Sequence, residues 1–149
     1  MSAPTYLPAG MPRPQPEPDG LDAPYWEGTR AGLLRVQRCR GCRGFQWGPE
    51  WICHRCLAFD LEWIEVPPRG RIYSWERAWH PVHPALREHG PYIVVLVELP
   101  DAGGVRMLGN LLGDPTQDVP IGAPVEAAFE PHDEATPPFT LVQWRRTAL

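Results

Sequence analysis

Two Cys-x-x-Cys knuckles, Cys39-Arg40-Gly41-Cys42 and Cys53-His54-Arg55-Cys56, stand ten residues apart and hold all four cysteines of the 149-residue chain. Paired knuckles of this kind match a tetrahedral four-thiolate site, because two-residue spacing lets both sulfurs of a knuckle reach one ion. With every ligand drawn from protein, no coordination position stays open for water. The expected role is therefore structural, with zinc as the expected ion; iron is the alternative that shares the ligand set. Site free energy on the order of 10 kcal/mol or more would then stabilise a lobe too small to fold alone. Gly44, two residues past Cys42, is expected to give the first knuckle its permissive backbone, whereas Leu57 and Ala58 follow Cys56 in the second. Disulfides are the competing use of cysteine. The opening stretch MSAPTYLPAGMPRPQPEPDG has no basic cap or apolar run of a secretory leader, so the expectation is a soluble, cytoplasmic protein with reduced thiols. No apolar run approaches the roughly 18 residues of a membrane span.

Around this lobe the chain divides by composition. Residues 1–20 carry Pro4, Pro8, Pro12, Pro14, Pro16 and Pro18 with almost no apolar spacing, which predicts an extended arm or linker with nothing to bury. Residues 21–36 predict a short helical segment, with Asp22 as N-cap, Pro24 in the first turn, and Tyr25, Trp26 and Leu33 on one apolar face. Residues 37–66 hold the metal lobe, a rubredoxin-like ribbon. From residue 67 to 146 the pattern is of short strands between Gly/Pro turns. Arg71–Trp79 alternates, with Tyr73, Trp75 and Trp79 on one face, the first two expected in a barrel core. The run Tyr92–Leu99 is apolar enough to be covered on both sides. Val105–Leu112 is a third strand, in which Gly109 hints at a bulge or bend. Val125–Phe129 and Phe139–Trp144 complete a set of five. The fold class is thus mainly β: a helix, a zinc ribbon, then a five-stranded OB-fold Greek-key barrel.

Groups that carry chemistry are few. Ser2 and Ser74 are the only serines and neither lies in a nucleophile turn; no phosphate-cradling glycine loop exists, and Asp101 with Gly103-Gly104 reads as a hairpin turn. His80, His83 and His89 cluster between strands, but three prolines interrupt them, so solvated loop histidines or a partner-facing loop are expected before catalysis. All fourteen cations are arginines, against eighteen acids, for a net charge of −4. Arg35, Arg38, Arg40, Arg43 and Arg55 crowd the metal lobe. They are a solvated face, or they meet phosphates of a nucleotide-bearing ligand such as coenzyme A, or an acidic partner. Trp79, His80 and His83 are further candidate contacts. Single-stranded nucleic-acid binding is the alternative, since OB-folds and ribbons both do this, but the acidic balance opposes it.

The order of these pieces resembles one family, the acyl-CoA-associated OB-fold/zinc-ribbon proteins, long catalogued as a domain of unknown function. The matching stretches are Pro24-Tyr25-Trp26-Glu27-Gly28, Gln37-Arg38-Cys39 with Cys42, Cys53 with Cys56, Gly70-Arg71-Ile72-Tyr73-Ser74-Trp75, Pro91-Tyr92, and Ile121-Gly122-Ala123-Pro124-Val125-Glu126. They span about residues 21–145. The resemblance implies a non-catalytic subunit that pairs with a thiolase-fold enzyme, either a thiolase or a lipid-transfer-type aldolase of steroid side-chain degradation. It also implies a shared acyl-CoA site and, in the steroid branch, a MaoC-like hydratase domain as neighbour. His54 and Glu50-Trp51-Ile52 depart from the family's usual approach to the second knuckle.

Overall fold

Asp22 opens α1 (Ala23–Arg30), with Pro24 in the first turn, where its missing N–H leaves no bond unmade. The Asp22 carboxylate does not cap the backbone as expected; it accepts from the Trp26 indole N–H at 2.9 Å. The helix ends where Gly32 turns to φ +72°. There Leu33 N–H reaches Gly28 O at 2.8 Å and Gly32 N–H reaches Thr29 O at 3.0 Å, the paired bonds of a Schellman stop. That stop explains why Leu33 is exposed and not part of a helical stripe: it has already left the helix. The buried helical positions are Gly28 and Thr29, while the Tyr25 ring packs edge-on against Trp47 at 4.9 Å between centroids.

The computed structural model describes Tyr6 and residues 8–148. After α1 come β1 (Leu34–Cys39), β2 (Phe45–Gln46) and β3 (Leu61–Val66), an antiparallel sheet in the order β2-β1-β3. Next follow β4 (Arg69–Ala78), β5 (Tyr92–Leu99), β6 (Val105–Asn110), β7 (Pro124–His132) and β8 (Phe139–Arg146), in the order β6-β5-β4-β7-β8. A parallel bridge between Leu111 and Trp144, with Leu112 N–H on Trp144 O at 2.8 Å, joins the β6 end to β8 and nearly closes the barrel. This is the OB-fold topology. Its core runs through Ile72, Ile93, Val97, Leu111, Val125 and Trp144, and Leu34, Val36 and Val66 of the smaller sheet belong to the same cluster. The ribbon therefore stands on the barrel core and has none of its own at this end.

Several details differ from the sequence reading, each for a local reason. In β4 the pairing skips a residue between Ile72 and Ser74, a bulge that turns Tyr73 outward. Ile72 is buried, Trp75 packs half-buried against the core, and Tyr73 lies exposed under the Arg106 guanidinium, 3.6 Å from its ring centroid. Tyr73 is not a core residue. In β5 only the inner face, Ile93, Val95, Val97 and Leu99, is fully buried; Tyr92, Val94, Leu96 and Glu98 are half-buried. Gly109 makes no bulge, since the β5–β6 register continues through Val95 and Gly109. It is glycine because a Cβ there would sit 2.6 Å from the Trp144 ring. The proline-rich arm is also not free of the barrel: Tyr6 N–H donates to Glu130, and Arg13 pairs with Glu134 at 3.0 Å.

Candidate metal centre

Each knuckle is a tight turn built by two backbone bonds, and the two repeat one another. In the first, Arg43 N–H reaches Cys39 O (2.9 Å) and Cys39 N–H reaches Gly44 O (2.9 Å). In the second, Leu57 N–H reaches Cys53 O (3.1 Å) and Cys53 N–H reaches Ala58 O (2.8 Å). The left-handed residue falls just after the second cysteine in both, at Arg43 (φ 64°) and Leu57 (φ 63°). Gly44 is thus not the residue that carries the turn's unusual dihedral. It is needed for space, because a Cβ there would sit 2.7 Å from the Arg55 side chain. Ala58 takes the equivalent place in the second knuckle, its carbonyl accepting the Cys53 N–H.

The turns converge four sulfurs. Cys39 Sγ lies 3.6 Å from Cys56 Sγ, Cys42 Sγ lies 3.6 Å from Cys53 Sγ, and all four fall within 4.8 Å of one another. A thiolate tetrahedron with ~2.3 Å metal bonds has edges of ~3.8 Å, so this donor set fits a single ion. Cys39 and Cys53 are buried; Cys42 and Cys56 face outward. Backbone N–H groups of Cys56 and Arg55 pull the Cys53 thiol down to about 6. Cys56, although the Ala58 N–H favours its thiolate, is pushed up to about 11 by the Cys39 sulfur, burial and the other thiols. Sulfurs this close cannot all hold negative charge alone, and a bound cation relieves that repulsion.

Two buried glutamines fix the approach to the second knuckle, and sequence reasoning missed them. Gln37 and Gln46 face each other across β1 and β2. The Gln46 amide donates to Gln37 Oε1 (3.0 Å) and Ile52 O (3.2 Å), while its oxygen accepts His54 N–H (2.9 Å). Gln37 accepts Glu50 N–H (3.0 Å) and donates to Glu50 O (3.1 Å). Residues 50–54 are pinned from inside by these polar bonds. The signal was the placement of both glutamines on either side of the first knuckle, Gln46 between Phe45 and Trp47 and Gln37 after Val36.

The arginines have carboxylate partners in most cases. Arg38 grips Glu62 through Nε (3.0 Å) and a terminal nitrogen (2.8 Å); Arg40 pairs with Asp60 (3.0 Å) and Glu62 (3.3 Å); Arg35 reaches Glu65 (3.4 Å). The Arg38 bonds, with Arg40 beside them, hold the Glu62 carboxyl below the ordinary glutamate range. Arg43 is 3.9 Å from Glu62, and Arg55 has no acidic partner among the described residues. Trp79 and His80 are exposed in the β4–β5 connection, and His83 caps a short turn there, its Nδ1 accepting Ala85 N–H at 3.1 Å. No hydrogen bond, ion pair or ring contact joins this connection to the ribbon arginines among the described residues. Exposed apolar groups appear instead beside the second knuckle: Trp51, Leu57 and Phe59, the last 79% exposed.

Residues 63–130 match the family described as the ChsH2 C-terminal OB-fold domain. A probable enoyl-CoA hydratase alpha subunit of Thermomonospora curvata is 35% identical over 133 residues, which is 89% of this chain and 40% of that protein. A 3-oxo-4,17-pregnadiene-20-carboxyl-CoA hydratase alpha subunit of Mycobacterium tuberculosis is 30% identical, over 83% of this chain and 42% of that protein. The chain thus spans about 40% of the length of these two curated relatives. Among solved structures, a chain of an Ltp2–ChsH2(DUF35) aldolase superposes with a TM-score of 0.73 at 34% identity, covering 91% of this chain and all of that one. With the knuckles, the ribbon sheet and the barrel in the same order along one chain, this protein belongs to the DUF35 family of ChsH2-type OB-fold/zinc-ribbon proteins.

Proposed function

We propose that this chain is a non-catalytic accessory subunit that binds a thiolase-fold enzyme, a lipid-transfer-type aldolase acting on an acyl-CoA, and helps form its substrate site. The observation that carries the reading is the full-length likeness to the DUF35 chain of an aldolase at 34% identity. The site chemistry supports it. Four protein thiolates around one ion leave no position for water or substrate, so the metal, which we take to be zinc, braces the fold and does not react. The exposed Trp51, Leu57 and Phe59 beside Arg55 give a ribbon tip suited to a protein surface, since aromatic and arginine side chains dominate such contacts. The hydratase names of two relatives make a MaoC-like hydratase a further candidate neighbour. Whether the ribbon arginines touch coenzyme A phosphate or the partner depends on Arg43 and Arg55, which are not committed to a close carboxylate pair as Arg38 is.

Co-expression with a thiolase-fold aldolase tests the proposal. The two chains are expected to co-purify, and retro-aldol cleavage of a steroid-type β-hydroxyacyl-CoA is expected to vanish when this chain is omitted. An aldolase that is fully active without it, or cleavage by this chain alone, would overturn the reading.

A further inference from the structure

The arm is extended by its prolines, yet it contacts the barrel at defined points. Tyr6, Pro8 and Met11 line a small apolar cavity of about 150 Å³ with Val82, Leu86 and His89 of the β4–β5 connection, Tyr92 of β5, Asn110 at the end of β6, and Leu141 and Gln143 of β8. Polar anchors hold both sides of this contact. Tyr6 N–H donates to Glu130, a carboxylate only 8% exposed, which also takes the Gln143 amide at 2.9 Å and lies 3.3 Å from His132 Nε2. Arg13 pairs with Glu134 in the β7–β8 connection at 3.0 Å. A buried carboxylate needs such donors, and one of them comes from the arm.

The place matters. In OB-folds the second and third strands, with the connections after the first and fourth, form the face that takes ligands. Here those are β5, β6, the β4–β5 connection and the β7–β8 connection; the arm touches each of them, and β7 and β8 beside them. We propose that Tyr6, Pro8, Met11 and Arg13 form a tethered peptide ligand that caps this face in cis. An arm already extended by proline loses little freedom on docking, and its tether raises its local concentration to roughly the millimolar range. A ligand or partner for this face must displace the arm. The inference is independent of the aldolase partnership.

Chymotrypsin cleavage after Tyr6 reads the docking in the full chain, with a synthetic peptide of residues 1–18 as the undocked reference. Cleavage in the chain is expected to be at least tenfold slower than in the peptide. Met11→Asp, which alters only the arm and leaves the barrel intact, is expected to remove most of that protection. Arg13→Glu is expected to speed cleavage by roughly two- to fivefold, the scale of an exposed ion pair, and Arg13→Glu with Glu134→Arg to restore it. Cleavage at the peptide's rate, indifference to Met11→Asp, or protection confined to a dimeric fraction would each overturn the proposal, the last because the arm would then be docking on a second copy.

Discussion

The ribbon and the barrel solve the same problem by different physics. The barrel encloses a continuous apolar core in which Ile93, Val95 and Trp144 are wholly inaccessible. Between Arg40 and Asp60 the ribbon buries only Gly44, Gln46 and Cys53. Phe45 and Trp47 pack part-buried against the barrel core, but the interior around the four sulfurs is sulfur and amide, so apolar burial stabilises it little and a bound ion would supply the rest. The two regions meet at Leu34, Val36 and Val66, which place the foot of the ribbon sheet in the barrel core. With four sulfurs placed to hold an ion, the two regions divide the labour: the barrel sets position, and the ribbon presents a tip whose shape would depend on that ion.

Removing a thiolate tests that division most severely. Cys39→Ser or Cys53→Ser, or chelation of the ion, is expected to forfeit most of a site free energy on the order of 10 kcal/mol and to melt residues 40–60. Amide exchange should show β4–β8 still protected; a barrel that exchanges along with the ribbon would break the comparison. The converse change is Trp144→Ala, expected to cost about 3–5 kcal/mol in denaturant unfolding of the barrel. The metal should stay bound below the new transition midpoint, because no cysteine rests on the indole.

Smaller effects sharpen the boundary. Gln46→Ala frees His54 N–H and Ile52 O behind the second knuckle. It is expected to weaken metal affinity about 10- to 100-fold, as changes behind a ligand shell do, with barrel stability unchanged; competition with a chromogenic chelator measures it. Glu62→Gln removes the carboxylate that gathers Arg38 and Arg40. Because Arg38 depresses the Glu62 pKa below its unfolded value of 4.5, the bond stabilises the ribbon above that pH and is lost as pH falls through the folded value. The variant's ribbon should therefore be less stable at pH 7, and its difference from the unaltered chain should shrink below about pH 4.5. A difference that is constant from pH 7 to pH 3 would show that Glu62 acts by packing, not charge.

The knuckles were legible because ligand spacing is a local property, and so was the succession of five strands along the chain, because alternation and turn residues are local too. Tyr73 was misplaced for the opposite reason. A single unpaired residue reverses the facing of everything beyond it, and nothing near Ile72-Tyr73-Ser74 announces that slip. Gly109 carried a real signal, but its cause is an indole 35 positions along the chain. Gln37 and Gln46 acquire their role only when pairing of β1 with β2 buries them against residues 50–54.

By itself, the sequence determined that four sulfurs converge, that a short helix precedes them, and that five strands follow. Those outcomes depend on bonds between residues close in the chain, or on the need to hide apolar side chains. Only the tertiary structure decided which arginines are held by carboxylates, where the β4 bulge falls, and that the proline arm contacts the barrel at Glu130 and Glu134. Each of these depends on contacts between distant segments, whose free energy exists only once the two surfaces have been brought together.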